Sequence, residues 1–262
     1  MKRTIGFLAL LLGTCSLALA DNIRVGTLNC YLFFQPEYSG NSVSLKGRPT
    51  AENYPIKVQH LAGFVTKVDV VGLEETERNT VSDLAQAAQY GFTFVQGHDT
   101  YTGENTGILT QSSLRVQKLG RIGELDRTVS KHTLVRVYTP NHNFLFLVVH
   151  LIRPIGAQAT KHEAQLKAIQ AWAAEMLQQG QSVVVVGDFN NTGHNLLGPQ
   201  FQEVINQPTH LTNKQFDHIY ISGNIHALET NVERPNYAKH PSDEQKTEWT
   251  DHYFVSALLD VE

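Results

Sequence analysis

Cysteine is almost absent from this chain, which limits how the fold can be held together. The 262 residues include two cysteines, Cys15 and Cys30. Cys15 lies in an N-terminal segment that we expect to be removed, so no disulfide can form within the mature chain. The same scarcity excludes a structural zinc site built from several thiolates. The roughly 240 residues that remain are enough for a self-sufficient hydrophobic core.

The chain also lacks an excess of positive charge. Its 21 Lys and Arg residues are outnumbered by 25 Asp and Glu residues, which gives a formal net charge of −4. Removal of the N-terminal segment takes away Lys2 and Arg3 and no acidic residue, so the net charge becomes −6. This balance argues against bulk electrostatic capture of nucleic acid. It does not exclude an enzyme whose bound cation offsets the local charge.

Long hydrophobic runs are absent as well. The apolar stretch Ile5 to Leu12 is shorter than the ~20 residues that a helix needs to cross a bilayer. It follows a basic start and precedes Ala18-Leu19-Ala20, which is the order of a secretory signal peptide. We expect residues 1–20 to be cleaved before Asp21, which predicts a secreted or periplasmic protein. A lipoprotein anchor at Cys15 is the alternative for this segment.

The remaining chain, residues 21–262, shows no repeat and no linker, and we expect it to form a single domain. Short apolar runs alternate with amphipathic stretches, which favours α/β or α+β layering. The predicted strands are Ile23–Phe34, Val70–Leu73, Phe92–Val95, Gly107–Leu109, Leu114–Leu119, Thr133–Tyr138, Phe144–Val149, Val183–Val186, Asp217–Ile221 and Tyr253–Leu259. The predicted helices are Tyr54–Val68, Val81–Tyr90 and Ala159–Leu177, and the predicted long loops are Gln35–Asn53 and Thr230–Thr250.

The most informative segment is the strand Val183–Val186 and the four residues after it. Four consecutive β-branched residues indicate a strand that is buried on both faces. Gly187-Asp188-Phe189-Asn190 follows, and residues just past the carboxyl end of a central strand line the ligand crevice of α/β sheets. Asp188 and Asn190 offer oxygen ligands and an amide donor, which suit a hard divalent cation and a phosphate. A simple turn is the alternative, because Gly, Asp and Asn all favour turns.

Polar residues mark the ends of several other predicted strands. They are Asn29, Glu75, His150 and the neighbours Asp251 and His252. Each alone fits a structural role, such as an edge amide, a solvated turn, an interior histidine or a cap. Together they are harder to explain in this way, because polar groups beside such apolar strands are costly unless they are paired. The remaining histidines, His210 among them, are predicted to be surface residues.

These motifs, in this order, resemble those of the endonuclease/exonuclease/phosphatase superfamily, the deoxyribonuclease I-like fold. The motifs are Asn29, Asp69 to Glu75, Gly107-Ile108-Leu109-Thr110, His150-Leu151, Gly187-Asp188-Phe189-Asn190, Phe216-Asp217-His218-Ile219 and Thr250-Asp251-His252. The resemblance spans Ile23 to Leu259. It implies an α/β (α+β) fold, a four-layer sandwich in which two mixed β-sheets pack face to face with helices on the outside.

The resemblance also implies a divalent-metal site. Glu75 is the first choice of ligand, with Asn29 and Asp251 close by. Mg²⁺ prefers oxygen ligands and few carboxylates, so it is the expected ion, and Mn²⁺ or Ca²⁺ can serve or assist.

The remaining site residues are expected to carry out the chemistry on a phosphodiester. By the resemblance, His252 is the general base and Asp217 orients its ring. His150 contacts the scissile phosphate and protonates the leaving oxygen. Asn190 holds a phosphate oxygen, and Asp188 positions the attacking water or a second cation.

Two positions depart from the pattern of the superfamily. Glu74 precedes Glu75 where Gln is usual, and this second carboxylate is expected to raise the local negative charge or to perturb the pKa of its neighbour. Glu77 stands where deoxyribonucleases of this fold often carry Arg.

The sequence therefore predicts a secreted, metal-dependent phosphodiesterase, foremost an endonuclease that hydrolyses DNA or RNA by in-line attack of water. Two alternatives stay open: a sphingomyelinase-like or phosphoinositide phosphoesterase on the same site, and a non-catalytic binding protein of the same fold. Nucleic acid is the expected partner, with no stable membrane span and no obligate protein partner evident.

Overall fold

The computed structural model describes residues 20–38, 47–95, 103–119, 123–236, 242, 246 and 248–262. The expected leader, with Cys15, lies outside the described residues except for Ala20. Parts of the two predicted long loops also lie outside these ranges. Among the described residues, none of the helices combines the length and the apolar character needed to cross a membrane.

The described residues form two six-stranded sheets. In chain order the strands are β1 (Asp21–Phe33), β2 (Val70–Thr76), β3 (Tyr90–Val95), β4 (Asn105–Gln111), β5 (Arg115–Lys118), β6 (His132–Tyr138), β7 (Asn143–His150), β8 (Val183–Asp188), β9 (Gln202–Glu203), β10 (Asp217–Ser222), β11 (Ile225–Glu233) and β12 (Phe254–Val261). The helices are α1 (Asn53–Val65), α2 (Arg78–Ala88), α3 (Gly123–Thr128) and α4 (Gln158–Gln178).

Each sheet has one parallel pair at its centre. The first sheet has the order β11-β12-β1-β2-β4-β3, and the second has the order β5-β6-β7-β8-β10-β9. β1 runs parallel to β2, and β7 runs parallel to β8, whereas the other neighbours are antiparallel. Both sheets are therefore mixed, and each parallel pair ends together at one edge of its sheet.

Three apolar layers separate the sheets and helices. In β8, Val184 and Val186 face the core between the two sheets, whereas Val183 and Val185 face the layer that also contains Trp172 of α4. A corresponding layer joins the first sheet to α1 and α2. The tetravaline strand is thus buried on both faces, as its sequence predicts. The expected four-layer sandwich of two mixed sheets with outer helices is confirmed.

Three elements were not predicted. Strand β11 covers the first residues of the predicted loop Thr230–Thr250. Its side chains are mostly exposed, and it is held by backbone pairing with β12, so it carries no hydrophobic signal. Helix α3 has six residues and β9 has two, and both are too short to show a periodic hydrophobic pattern in the sequence.

Glu77 has a structural role at the start of α2. It accepts a hydrogen bond from the Gln35 N–H at 2.9 Å, and with Thr80 it forms a capping box. The residue that stands in place of the Arg of many deoxyribonucleases is therefore engaged within the protein.

The two sheets come close together at Gly72 of β2. A methyl group added to Gly72 would lie 2.6 Å from Val148 Cγ2 and 2.9 Å from Val186 Cγ2, both on the facing sheet. Real carbon–carbon contacts of this kind do not occur, so the absence of a side chain sets the distance between the sheets here.

We expect Gly72→Ala to lower the free energy of unfolding by about 1–3 kcal/mol, because the facing valines must shift to accept the methyl group. Urea unfolding measures this change. Gly63→Ala is the matched control: Gly63 lies in α1, and apart from its own helix backbone and chain neighbours no described atom lies within 4 Å of the added methyl group. It is expected to stabilise the protein by about 0.5–1 kcal/mol through helix propensity. Equal effects of the two changes would contradict this account of the sheet spacing.

Candidate active site

The polar residues predicted to converge lie at the rim where the two parallel pairs end. Asn29 and Glu75 come from β1 and β2, and His150 and Asp188 come from β7 and β8. A cleft of about 380 Å³ opens over them, and Glu75, His150, Asn190, Asp251 and His252 are among the residues that line it. The lining is largely polar, with several ionisable side chains facing one small volume.

One amide holds two carboxylates together at the bottom of this cleft. Asn29 Nδ2 donates hydrogen bonds to Glu75 Oε1 and to Asp188 Oδ2, both at 3.0 Å. Because Asp188 lies on the second sheet, this amide joins the two sheets. Asn29 Oδ1 accepts the N–H of Tyr31 at 2.9 Å, which fixes the orientation of the amide. Asn29 thus presents its nitrogen to the carboxylates, and its role as a metal ligand stays a prediction.

Glu75 is held by an unusual backbone arrangement. Its second carboxylate oxygen, Oε2, accepts the N–H of Leu32 at 2.9 Å. Tyr31, Leu32 and Glu75 itself have positive φ angles of 50°, 47° and 54°. Such values are costly for residues with side chains, and they persist where the surroundings enforce them. The strand pairing of β1 with β2 shifts its register between Asn29 and Phe33, at this same bulge.

The buried ammonium group of Lys57 supports this bulge. Lys57 is fully buried in α1, and its Nζ donates to the Tyr31 carbonyl oxygen at 2.7 Å. Burial lowers the pKa of Lys57 to about 8, and nearby anionic groups, including Asp251 and Glu75, oppose that shift. Lys57 therefore fixes the strained segment and places a positive charge behind an acidic cleft.

His252 is paired with Asp217 as the resemblance implies. Its Nδ1 donates to Asp217 Oδ2 at 2.8 Å, and its Nε2 lies 3.9 Å from Asp188 Oδ2. Burial lowers the pKa of His252, but the negative charges of Asp217, Asp188 and Asp251 outweigh it and raise the pKa well above its usual value. The ring is therefore oriented, buried and strongly influenced by the surrounding carboxylates.

His150 lies on the other side of Asp188. Its Nε2 is 3.7 Å from Asp188 Oδ2 and 4.0 Å from Glu75 Oε1. Burial, and then the positive charges of neighbours such as Lys131, hold its pKa well below the usual value. His150 is therefore neutral near pH 7 in this structure. A neutral ring suits the expected hydrogen bond to a phosphate, whereas the expected proton donation needs the charged form.

The sharp turn after β8 fixes Asp188 and Asn190. Gly187 has a φ of 135°, and a methyl group there would lie 1.9 Å from the Val149 carbonyl oxygen, so only glycine fits. The Asn190 N–H donates to Asp188 Oδ1 at 2.7 Å. Asn190 Nδ2 donates to the Leu151 carbonyl at 2.9 Å, and burial raises the pKa of Asp188. The expected phosphate contact of Asn190 therefore requires its amide to exchange partners.

Within the part of the chain that the structure describes, the ligand atoms suited to a metal ion fall into two groups. In each group they lie within 4.8 Å of one another: Glu75, His150 and Asp188 in one, and His210, Asp251 and His252 in the other. Asp251 is thus placed with the histidines, although it lines the same cleft as Glu75 and helps to raise the pKa of Glu75, after burial and Glu104. Among the described residues, the buried Asp251 Oδ1 has no hydrogen-bond partner. This orphaned oxygen and the paired carboxylates fit a divalent cation.

The expectation that His210 is a surface residue is wrong, and burial affects the charge expected of Glu74. His210 is half-buried rather than a surface residue: its Nε2 lies 3.5 Å from Asp251 Oδ2, and its ring packs against His252 with centroids 4.7 Å apart. His210 lies in a non-repetitive segment before Asp217, so no periodic pattern in the sequence indicated its burial. Glu74 is fully buried, and burial, followed by the negative charge of Asp217, raises its pKa well above the usual value, which disfavours the charged carboxylate. It accepts the Thr27 hydroxyl at 2.7 Å.

The comparison with protein families gives one match that covers most of the chain. The model of the Endonuclease/Exonuclease/phosphatase family matches residues 26–252. The comparison with curated proteins gives no match.

Solved structures share the fold at low sequence identity. TDP2 from C. elegans has a TM-score of 0.64 at 15% identity, over 92% of this chain and 75% of that protein. D. rerio TDP2 complexed with a single-strand DNA product has a TM-score of 0.61 at 18% identity, over 91% and 98%. An endonuclease/exonuclease/phosphatase family protein from Bacteroides thetaiotaomicron has a TM-score of 0.61 at 15% identity, over 93% and 99%. At these identities the likeness shows the fold alone.

The contact of Lys57 with the bulge leads to a prediction about stability. We expect Lys57→Met to lower the free energy of unfolding by about 2 kcal/mol, because the Tyr31 carbonyl loses the hydrogen bond of a charged donor. Urea unfolding measures this loss. Lys67→Met is the control, since Lys67 is half-exposed and its ion pair with Glu233 lies at the surface. A surface ion pair contributes about 0–1 kcal/mol. A Lys57 variant as stable as the Lys67 variant would refute the proposed support.

Proposed function

Because the chain belongs to the endonuclease/exonuclease/phosphatase family, a family of phosphoester hydrolases, we propose that it is a divalent-metal-dependent phosphodiesterase that acts on nucleic acid. The observation that carries the proposal is the position of Asp188 Oδ2. It lies 3.7 Å from His150 Nε2 and 3.9 Å from His252 Nε2, and it accepts a hydrogen bond from Asn29. Two histidines with pKa values shifted in opposite directions thus flank one carboxylate, which is an arrangement suited to proton transfer.

The roles of the protein groups follow from their hydrogen bonds. His252 Nε2 accepts a proton from the attacking water, while Asp217 holds the other ring nitrogen and stabilises the charge that forms. Asp188 orients that water. His150, as a neutral ring with Nε2–H directed into the cleft, donates a hydrogen bond to a phosphoryl oxygen, and this bond strengthens as negative charge develops there.

Glu75 and Asp188, with the orphaned oxygen of Asp251, would hold the divalent cation. When bound, the cation would polarise the phosphoryl group and offset the carboxylate charges that raise the pKa of His252. Family members are generally divalent-metal dependent, and Mg²⁺ suits these oxygen donors best. Asn29 keeps the two carboxylates together in the absence of the cation.

Nucleic acid is the proposed substrate for two reasons. Arg153 lies exposed at the rim of the cleft, where a cation can meet the next phosphate of a chain. A structural relative, D. rerio TDP2, is complexed with a single-strand DNA product, which supports the same substrate class here. The basic rim disfavours the quaternary ammonium of a sphingomyelin headgroup.

We further propose export after cleavage before Asp21. Recovery of exported protein whose first residue is not Asp21 would contradict that site.

The central test is a plasmid-nicking assay run beside a sphingomyelin assay, each with Mg²⁺ and with chelator. We expect cleavage of DNA only, and only with Mg²⁺.

His252→Ala and His150→Ala are each expected to lower that activity by ~10²-fold or more while the proteins stay folded. His226→Ala, an exposed histidine of β11, is the control and should keep full activity. A fully active His252→Ala enzyme would end the assignment of the base.

A metal titration tests the role of Glu75. We expect Glu75→Gln to require about 10-fold or more Mg²⁺ for half-maximal activity, because one anionic ligand is lost while the shape of the side chain is kept. Glu229→Gln is the control, since Glu229 is exposed and pairs with Arg24 far from the cleft. An unchanged Mg²⁺ requirement in Glu75→Gln would remove Glu75 from the ligand set.

A further inference from the structure

A second cavity opens directly beside the catalytic cleft. Its volume is about 420 Å³, which lies within the range of ~300–1,000 Å³ typical of small-molecule sites. It shares Arg153, Asn190 and His252 with the catalytic cleft, so a molecule can occupy both at once. Its walls are the segment 153–155 that follows β7 and the segment 210–216 that precedes β10.

The walls of this cavity carry apolar groups that the described residues cover only in part. Pro154, Ile155 and Phe216 line it. Ile155 is 70% exposed, more than any other large hydrophobic side chain among the described residues. Phe216 packs edge-on against His210, with ring centroids 5.3 Å apart, and His210 packs against His252 in the same manner. The rings of His210 and Phe216 thus form an aromatic wall that begins at His252, the proposed general base, and lines the same cavity as Ile155.

Two cationic side chains complete the cavity. Lys214 Nζ lies 5.9 Å from the centre of the Phe216 ring. Arg153 Nε donates to Asn190 Oδ1 at 3.1 Å, at the boundary between the two cavities. This charge attracts anionic ligands and disfavours a quaternary ammonium. The occupant must therefore combine a flat or apolar surface with negative charge, and amide and hydroxyl groups of Asn191 and Thr212 line the cavity beside it.

We propose that this second cavity is a nucleoside-binding subsite, which holds the nucleoside next to the scissile phosphate. The base lies against Ile155 and Phe216, and Arg153 and Lys214 face the following phosphate. Every base has a flat face, so this wall accepts bases without strong sequence preference. The inference rests on the proposed phosphodiesterase function and adds the chemical class of group that the site selects.

The test compares two chromogenic esters that share the same leaving group. One is thymidine 5′-(4-nitrophenyl) phosphate and the other is methyl 4-nitrophenyl phosphate, which lacks a nucleoside. We expect the wild-type protein with Mg²⁺ to prefer the thymidine ester in kcat/KM by about 10-fold or more. Ile155→Ala and Phe216→Leu are each expected to lower that preference by about 5-fold. Leu228→Ala, an exposed aliphatic residue on β11, is the matched control and should keep it.

Direct binding of thymidine 5′-monophosphate, measured by calorimetry with Mg²⁺, separates the subsite from turnover. We expect weaker binding in Ile155→Ala than in Leu228→Ala. If neither ester is cleaved with any divalent metal, the proposed function fails, and Ile155-dependent binding would still support the subsite. If both esters are cleaved and neither variant changes the preference, the subsite is wrong and the function stands. An Ile155-dependent preference for 4-nitrophenyl phosphorylcholine or for glycerophosphoinositol would overturn the nucleoside assignment.

Discussion

One amide group carries the constraint on which the site depends. Asn29 donates to a carboxylate of its own sheet, Glu75, and to a carboxylate of the facing sheet, Asp188. Two buried acids this close repel each other when both are charged, and burial raises the pKa of each. A donor between them lowers that cost without neutralising them. The amide therefore keeps the two carboxylates close together without a positive charge between them. A divalent cation would supply that charge.

The strain around the site follows from this arrangement. Glu75 reaches the amide only because its own backbone and that of Tyr31 and Leu32 adopt positive φ angles. None of these three residues is glycine, so the positive φ angles cost conformational energy. Hydrogen bonds to buried partners, including the ammonium group of Lys57, offset that energy. Gly72 lies on the same strand as Glu75, and its lack of a side chain lets the two sheets come close together. Precise placement of the acids is thus a property of the whole sandwich rather than of the rim alone.

The sequence indicated the strand ends better than the contacts between them. The tetravaline strand and Gly187-Asp188 have local causes, since burial on both faces and a positive φ each demand particular residues. His210 could not be identified, because its place beside His252 comes from an isolated bridge between two non-repetitive segments. The raised pKa of Glu74 could not be predicted either. It depends on complete burial and on the charges of Asp217 and Asp188, neither of which a linear pattern contains.

Chemistry and selectivity are built from different kinds of structure in this protein. Glu75, His150 and Asp188 lie at strand ends, where backbone hydrogen bonds between neighbouring strands fix their register. The walls of the second cavity belong to connecting segments outside the named strands, and the Ile155 side chain is 70% exposed. A change at Ile155 therefore alters what lies beside the phosphate without moving Asp188. A fold organised in this way can keep one hydrolytic centre while its substrate changes, and the residues that define the substrate are then the exposed ones.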